Sequence, residues 1–261
     1  MLLISTSQLT TPAKRIISLV PSQTELLYNI NLEEEVIGIT KFCVHPEKWY
    51  RSKIRVGGTK NIDNQKIIQL NPDLIIANKE ENVKEQVETL AELFPVWVTD
   101  VATLQGSFKM ISDIGLLTNR IEESAGIISE IKNQFNLLEV APNTPVAYLI
   151  WKDPYMTIGG DTFIDDMLAK AGFRNVFSDQ RRYPEVRVEE IRKSGAKAVL
   201  LSSEPYPFKQ QHIDELRDQL PGIIIKLVDG ELFSWYGSRL LKAPRYFKEL
   251  KSDLADLIGE D

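Results

Sequence analysis

Two stretches decide how this chain folds: Asn71-Pro-Asp-Leu-Ile-Ile-Ala-Asn-Lys-Glu80 and Gly195-Ala-Lys-Ala-Val-Leu-Leu-Ser-Ser-Glu204. Each reads as a tight turn, a four-residue apolar run, two polar residues and a glutamate. Each follows an isoleucine on a helix-like segment, Ile67 and Ile191. A short apolar run bounded by turn residues suits a strand buried on both faces of a parallel sheet. Further on, Val96-Trp-Val-Thr-Asp100 resembles Ile225-Lys-Leu-Val-Asp229. Internal repetition of this kind predicts two lobes built on one plan.

Working outward, helix and strand patterns alternate on both sides. Residues 1–14 read as a loose polar arm. Ile16 to Val20 is a short buried strand stopped by Pro21, and Ser22-Gln-Thr-Glu25 has capping-box spacing for a helix. Val36 to Thr40 is a strand, and residues 41–62 read as loop with a turn at Gly57-Gly58. Helices at about 63–70, 83–93 and 103–117 alternate with strands at 74–78 and 96–99. Asn119-x-x-Glu122 signals another helix start, and apolar residues at 121, 125, 128, 131, 135 and 138 predict one long amphipathic helix, ended by Pro142 and Pro145. The alternation then resumes. Strands fall at 146–150, 198–202 and 223–228. Helices fall at 188–194 and 210–218, and another runs from a cap at Asp161 to Gly172. A last helix covers about 238–257, with Pro244 kinking it or delaying its start. The division is an arm (1–14), an α/β lobe (15–118), a bridging helix (119–141) and a second α/β lobe (142–261). Alternation of this kind predicts parallel sheets covered on both faces.

Composition excludes several classes. A net charge of -6 gives no basic footprint for nucleic acid. No apolar run reaches the length of a membrane span. The opening Met1-Leu-Leu-Ile is too short an apolar stretch for a signal peptide, and no basic residue precedes it. The single cysteine, Cys43, permits no internal disulfide and reads as a small buried side chain. Glycine-rich nucleotide loops, a G-x-S-x-G elbow and paired-histidine metal motifs are absent. With only His45 and His212, neither a triad nor a zinc site has local support, so the sequence names no catalytic residue and no metal ligand set. The adjacent pair Glu80-Glu81 reads as solvent-facing. Aromatic residues instead gather where strands end, and Trp235-Tyr236 look the least core-like of them.

Several segments resemble one family. Arg15-Ile-Ile-Ser-Leu-Val-Pro-Ser-x-Thr-Glu25-Leu, Asn71-Pro-Asp-Leu-Ile-Ile-Ala, Gly159-Gly-Asp-Thr-Phe-Ile-Asp-Asp166 and Asp229-x-x-x-Phe-Ser-Trp-Tyr-Gly237 are similar to the solute-binding proteins of bacterial ABC importers for cobalamin, haem and iron-siderophores. These are the helical-backbone metal receptors. Phe42-Cys-Val-His-Pro46, Ser202-Ser-Glu-Pro-Tyr-Pro-Phe208 and Phe233-Ser-Trp-Tyr236 look most like the cobalamin-binding branch.

The resemblance implies an α/β architecture of two Rossmann-like lobes joined by a single long helix, with a ligand cleft between them; one stiff connection in turn predicts little lobe closure. The resemblance also implies a monomer without an intrinsic cofactor or catalytic activity. Its ligand would be a metal chelate, cobalamin first and ferric siderophore or haem next. Pro21, Ser22, Phe42, His45, Trp97, Tyr183, Trp235 and Tyr236 fall near the family's ligand-contact segments; His45 reads either as a His-Pro turn residue or as a ligand on the open face of the chelated metal. Glu80 and Glu204 fit the acidic residues, one per lobe, that dock on arginines of the membrane permease. Replacing both is expected to spare ligand capture and abolish uptake. The family works in the periplasm or at the cell surface, whereas the opening residues carry no export signal. That departure leaves an alternative, a cytosolic metallocofactor-handling enzyme or chaperone, which one cysteine disfavours. Direct capture of Zn²⁺ or Mn²⁺ is disfavoured by two histidines.

Overall fold

The computed structural model describes residues 1–138 and 143–259. The expected end of the long helix at 139–141, and Pro142, lie outside the described residues. The chain divides into two compact units. Unit 1 comprises Met1–Val101, Gln105–Ile131 and Tyr236–Arg239; unit 2 comprises Ala102–Leu104, Lys132–Trp235 and Leu240–Asp261.

Unit 1 is built on six parallel strands: β1 (Leu2–Leu3), β2 (Ile16–Ser18), β3 (Val36–Ile39), β4 (Ile54–Arg55), β5 (Leu74–Asn78) and β6 (Val96–Thr99), in the order β1-β6-β5-β2-β3-β4. Its helices are α1 (Pro21–Asn29), α2 (Glu47–Ser52), α3 (Asn64–Leu70), α4 (Lys84–Leu93), α5 (Leu104–Thr118) and most of α6 (Ile121–Asn136). The unit boundary falls inside α6, after Ile131. All five residues of β5 are buried, as a strand covered on both faces requires. Ile17, Leu19, Ile75, Val87, Leu90 and Val96 pack in one of its apolar clusters.

Unit 2 holds β7 (Thr144–Trp151), β8 (Met156–Thr157), α7 (Phe163–Lys170), β9 (Phe173–Asn175), α8 (Val188–Lys193), β10 (Ala198–Ser202), α9 (Gln210–Gln219), β11 (Ile224–Val228), α10 (Gly230–Ser234) and α11 (Ala243–Ile258). β11, β10, β7 and β9 run parallel, and among the described strands only β8 pairs antiparallel, with β7. The order β11-β10-β7-β9 reproduces β6-β5-β2-β3 of unit 1 strand for strand. The echoed segments occupy the same place in each: β5 and β10 are both five residues long, both fully buried, and both lie next to the first long strand of their unit. Each follows a left-handed residue, Asn71 (φ 44°) or Gly195 (φ 76°).

Several local expectations are corrected. Residues 1–14 are not a loose arm: Leu2 and Leu3 pair in parallel with Val96 and Trp97, Leu3 is buried, and Ser5 and Gln8 form a capping box around a 3₁₀ turn. An apolar run of three residues was too short to read as an edge strand, yet β6 offers it a free edge. Pro21 does not merely stop a strand; it is the first residue of α1, where its missing N–H is no loss. Ser22 is then inside the helix and no capping box forms. A short helix, α2, occupies part of the expected 41–62 loop. Asn119, at φ 54°, terminates α5 rather than opening α6. Thr162, not Asp161, caps α7, and Asp161 instead accepts from the Arg182 backbone N–H at 2.6 Å. Pro244 delays α11, which starts at Ala243.

Candidate functional site

In each unit the strand order reverses direction beside the first long strand: between β2 and β5 in unit 1, and between β7 and β10 in unit 2. In open parallel sheets ligands bind outside the carboxyl ends of strands at such switch points. Four of the ten expected functional residues, Pro21, Ser22, Glu80 and Glu204, follow a strand that borders one of these points. In unit 1, Pro21 and Ser22 follow β2, Phe42 and His45 follow β3, and Glu80 follows β5. In unit 2, Trp151 ends β7, Glu204 follows β10, and Trp235 follows α10.

The unit 1 switch point is lined by a buried polar network. Gln23 Nε2 donates to Thr99 Oγ1 at 2.5 Å, Asn78 Nδ2 donates to the Thr99 carbonyl at 3.0 Å, and Asn82 Nδ2 donates to the Leu19 and Thr59 carbonyls. Asn78 Oδ1 accepts from the backbone N–H of Glu80 and Glu81 at 2.8 and 3.1 Å. Buried amides so interlinked form a rigid floor. Within this network the buried Gln23 Oε1 has no hydrogen-bond partner among the described residues, and neither does the buried Trp97 Nε1 of β6.

Tyr236 lies against the same floor, its hydroxyl bonded by Ser22 and Gln23, and burial pushes the phenol far up from its ordinary range. It therefore acts only as a neutral donor and acceptor. Gly237 turns the chain at φ 122°, Asn29 Nδ2 donates to Ser238 Oγ at 2.7 Å, and Arg239 forms a two-pronged pair with Glu25. The partners Ser22, Glu25, Leu26 and Asn29 lie on one stripe of α1. Residues 236–239 are thus a strap laid along that helix. Burial of Trp235 and Tyr236, both under a tenth exposed, corrects the expectation that they are the least core-like aromatics. A loop gained a buried face because α1 supplies one.

The remaining site residues divide by exposure. Phe42 is 50% exposed, with the Lys41 ammonium 5.1 Å from its ring centroid. His45 is half-buried and is followed by Pro46. Tyr183 is half-buried, with the Arg182 guanidinium 5.9 Å from its centroid. Cys43 is fully buried against the hydroxyls of Thr24 and Thr40 at 3.1 and 3.2 Å, and burial pushes its thiol up. Among the described residues no group of His, Cys, Asp and Glu is arranged to hold a metal ion.

Two features sharpen the sequence reading. Glu81, expected to face solvent, is half-buried, and burial pushes its carboxyl up while Lys60 opposes this. Aromatic residues also stack on the unit 2 switch point, where Trp151 meets Tyr206 edge-on at 5.6 Å and Tyr206 meets Phe208 at 4.8 Å. The Glu-Pro-Tyr-Pro-Phe run after β10 was its signal.

A family profile described as periplasmic binding protein matches residues 16–222. The chain belongs to that family. It is a solute-binding protein, and two curated relatives resemble it in sequence. The Vitamin B12-binding protein of Vibrio campbellii is 27% identical over 186 residues, covering 69% of this chain and 67% of that one. An uncharacterized ABC transporter substrate-binding lipoprotein, YvrC of Bacillus subtilis, is 25% identical over 209 residues, covering 72% and 63%. Among solved structures, the periplasmic vitamin B12 binding protein BtuF of Vibrio cholerae superposes with a TM-score of 0.74 at 19% identity, over 96% of this binding protein and 99% of that chain. At that identity the likeness is one of fold. The α/β fold and the solute-binding class expected from the sequence both stand.

Proposed function

We propose that this binding protein captures a metal-bearing chelate, cobalamin first, outside the cytoplasmic membrane and delivers it to the permease of an ABC importer. The sequence match to a Vitamin B12-binding protein over 186 residues carries this reading. The site's chemistry supports it. Of the expected contacts, Phe42 is exposed and His45 half-buried in unit 1, and Tyr183 is half-buried in unit 2; flat rings beside a few polar groups suit a large ligand that is partly planar and partly polar. Ferric siderophores and haem share those features and rank next. A stiff bridging helix belongs to this reading, with α6 as the segment that would serve as it, and small lobe closure would rest on that stiffness.

Glu80 is proposed as a docking carboxylate for a permease arginine, where a charge-assisted pair fixes orientation and speeds encounter more than it adds affinity. Its backbone is held by Asn78, and its carbonyl accepts from Lys60 Nζ at 2.5 Å, so the residue sits on a fixed turn. Calorimetric titration with cyanocobalamin, haemin and a ferric hydroxamate tests the capture reading. One tight stoichiometric ligand is expected, and silence with all three overturns it. Glu80→Ala is expected to leave that affinity unchanged while slowing uptake into reconstituted vesicles.

A further inference from the structure

Glu204 was expected to be a surface docking carboxylate, but unit 2 gives it a built seat. Its Oε1 accepts from Ser234 Oγ at 2.5 Å and from the Trp235 indole Nε1 at 2.8 Å. Its backbone is held by Ser202, whose Oγ donates to the Glu204 carbonyl at 2.6 Å and accepts from the Glu204 N–H at 3.4 Å. The fully buried Tyr148 hydroxyl backs Ser202 at 3.1 Å. Gly230 is the floor: a Cβ there would lie 2.3 Å from Ser202 Oγ and 2.8 Å from Glu204 Cγ. Two adjacent side chains at the end of α10 therefore converge on one carboxylate oxygen, while Ser202 fixes the backbone beneath it.

Ser234 and Trp235 are neutral donors, and Glu204 itself is only half-buried. A guanidinium presents a planar fork of charged donors to a carboxylate, and such bonds are roughly twice as strong as neutral ones. An arginine reaching this turn would compete for the same oxygen. An indole N–H is a donor only, so Trp235 cannot follow the carboxylate onto a cation by accepting from it.

We propose that Glu204 is a two-position carboxylate: it anchors Ser234 and Trp235 in the free protein, and docking draws it onto an arginine of the permease, releasing the Trp235 indole. This rests on the reading of Glu204 as a docking residue. It adds that docking reaches a ligand-contact aromatic through a single hydrogen bond, and that Tyr236 follows directly in the chain. Glu204 is thus a positioning residue for ligand capture, and on this proposal its replacement weakens binding, where the resemblance alone implies that binding is spared.

The test uses the full protein labelled with 5-fluorotryptophan, which reports Trp49, Trp97, Trp151 and Trp235 by fluorine NMR; Trp235→Phe assigns the fourth signal. Glu204→Gln should shift the Trp235 signal and leave Trp49 in place. Adding the permease–ATPase complex in nanodiscs to the unmodified protein should move the Trp235 signal in the same direction. Glu204→Ala should weaken cyanocobalamin binding about tenfold, as loss of one hydrogen bond to a charged group predicts, and Glu204→Gln, which keeps an acceptor oxygen, should restore part of it. If the permease binds in a Glu204-dependent way while the Trp235 signal stays still, docking stands and the two-position carboxylate is wrong. If Glu204→Gln binds the permease as well as the unmodified protein, both readings fall. Should Glu204→Ala fail to fold, the Gln variant and the permease titration still decide.

Discussion

Arg239 and Glu25 lie 214 residues apart in sequence yet meet in a two-pronged ion pair, Nε to Oε2 at 2.8 Å and Nη2 to Oε1 at 2.9 Å. Both side chains are about nine-tenths buried. Removing one partner strands the other charge in a poorly hydrated place. Arg239→Met is expected to destabilise unit 1 by about 3–5 kcal/mol. The double variant Glu25→Leu/Arg239→Met should recover most of that, because an apolar pair leaves no stranded charge. Urea unfolding of the three proteins checks the order; equal losses in single and double variants would mean that the pair is not the source.

The strap beside that pair depends on Gly237. At φ 122° a Cβ is strained whatever space surrounds it, and here it would also approach the Ser22 carbonyl at 3.3 Å. Gly237→Ala should cost on the order of 1–3 kcal/mol. Ligand affinity should fall with it, since Tyr236 precedes the turn. A melting temperature equal to that of the unmodified protein would contradict the strap's geometry.

Glu81 makes stability depend on pH. Its folded-state carboxyl is raised by burial, so the folded protein holds that proton to higher pH than the unfolded chain does. The cost of charging it is absent at pH below the unfolded value, grows as pH rises, and is complete above the folded value. Glu81→Gln is therefore expected to raise the melting temperature at pH 7 by a few degrees, about 1 kcal/mol in a protein of this size, with the gain closing toward pH 4. A gain that persists unchanged at pH 4 would assign the effect to something other than ionisation.

Cys43 should be inert in the native state. Burial raises its pKa and hides it, and two hydroxyls flank the sulfur. Ellman's reagent at pH 8 should react with it only at the rate of opening or unfolding, and at once in denaturant. Rapid reaction of the native protein would refute the placement.

The strands, most helices and the doubled plan were legible because period and turn chemistry are local. β5 and β10 read correctly, since a buried parallel strand writes itself as an unbroken apolar run. What failed was decided at a distance. Ser22 and Glu25 have the spacing of a capping box, but Pro21 takes the first helical position and Arg239 takes the glutamate. Trp235 and Tyr236 looked exposed because nothing nearby in sequence covers them; α1 covers one and Glu204 holds the other. Glu204 was found by position, but its donors lie 30 and 31 residues downstream. No periodic pattern encodes such a partnership.

The strap also governs how this protein can be dissected. Because Tyr236–Arg239 cluster with unit 1 while the residues on either side cluster with unit 2, no single cut yields two whole pieces. A gene fragment ending after α6 would leave Glu25 without its arginine and the Ser22–Gln23 end of α1 without Tyr236. A sound fragment of the first unit has to import four residues from near the far terminus, either grafted through a linker or supplied as a peptide.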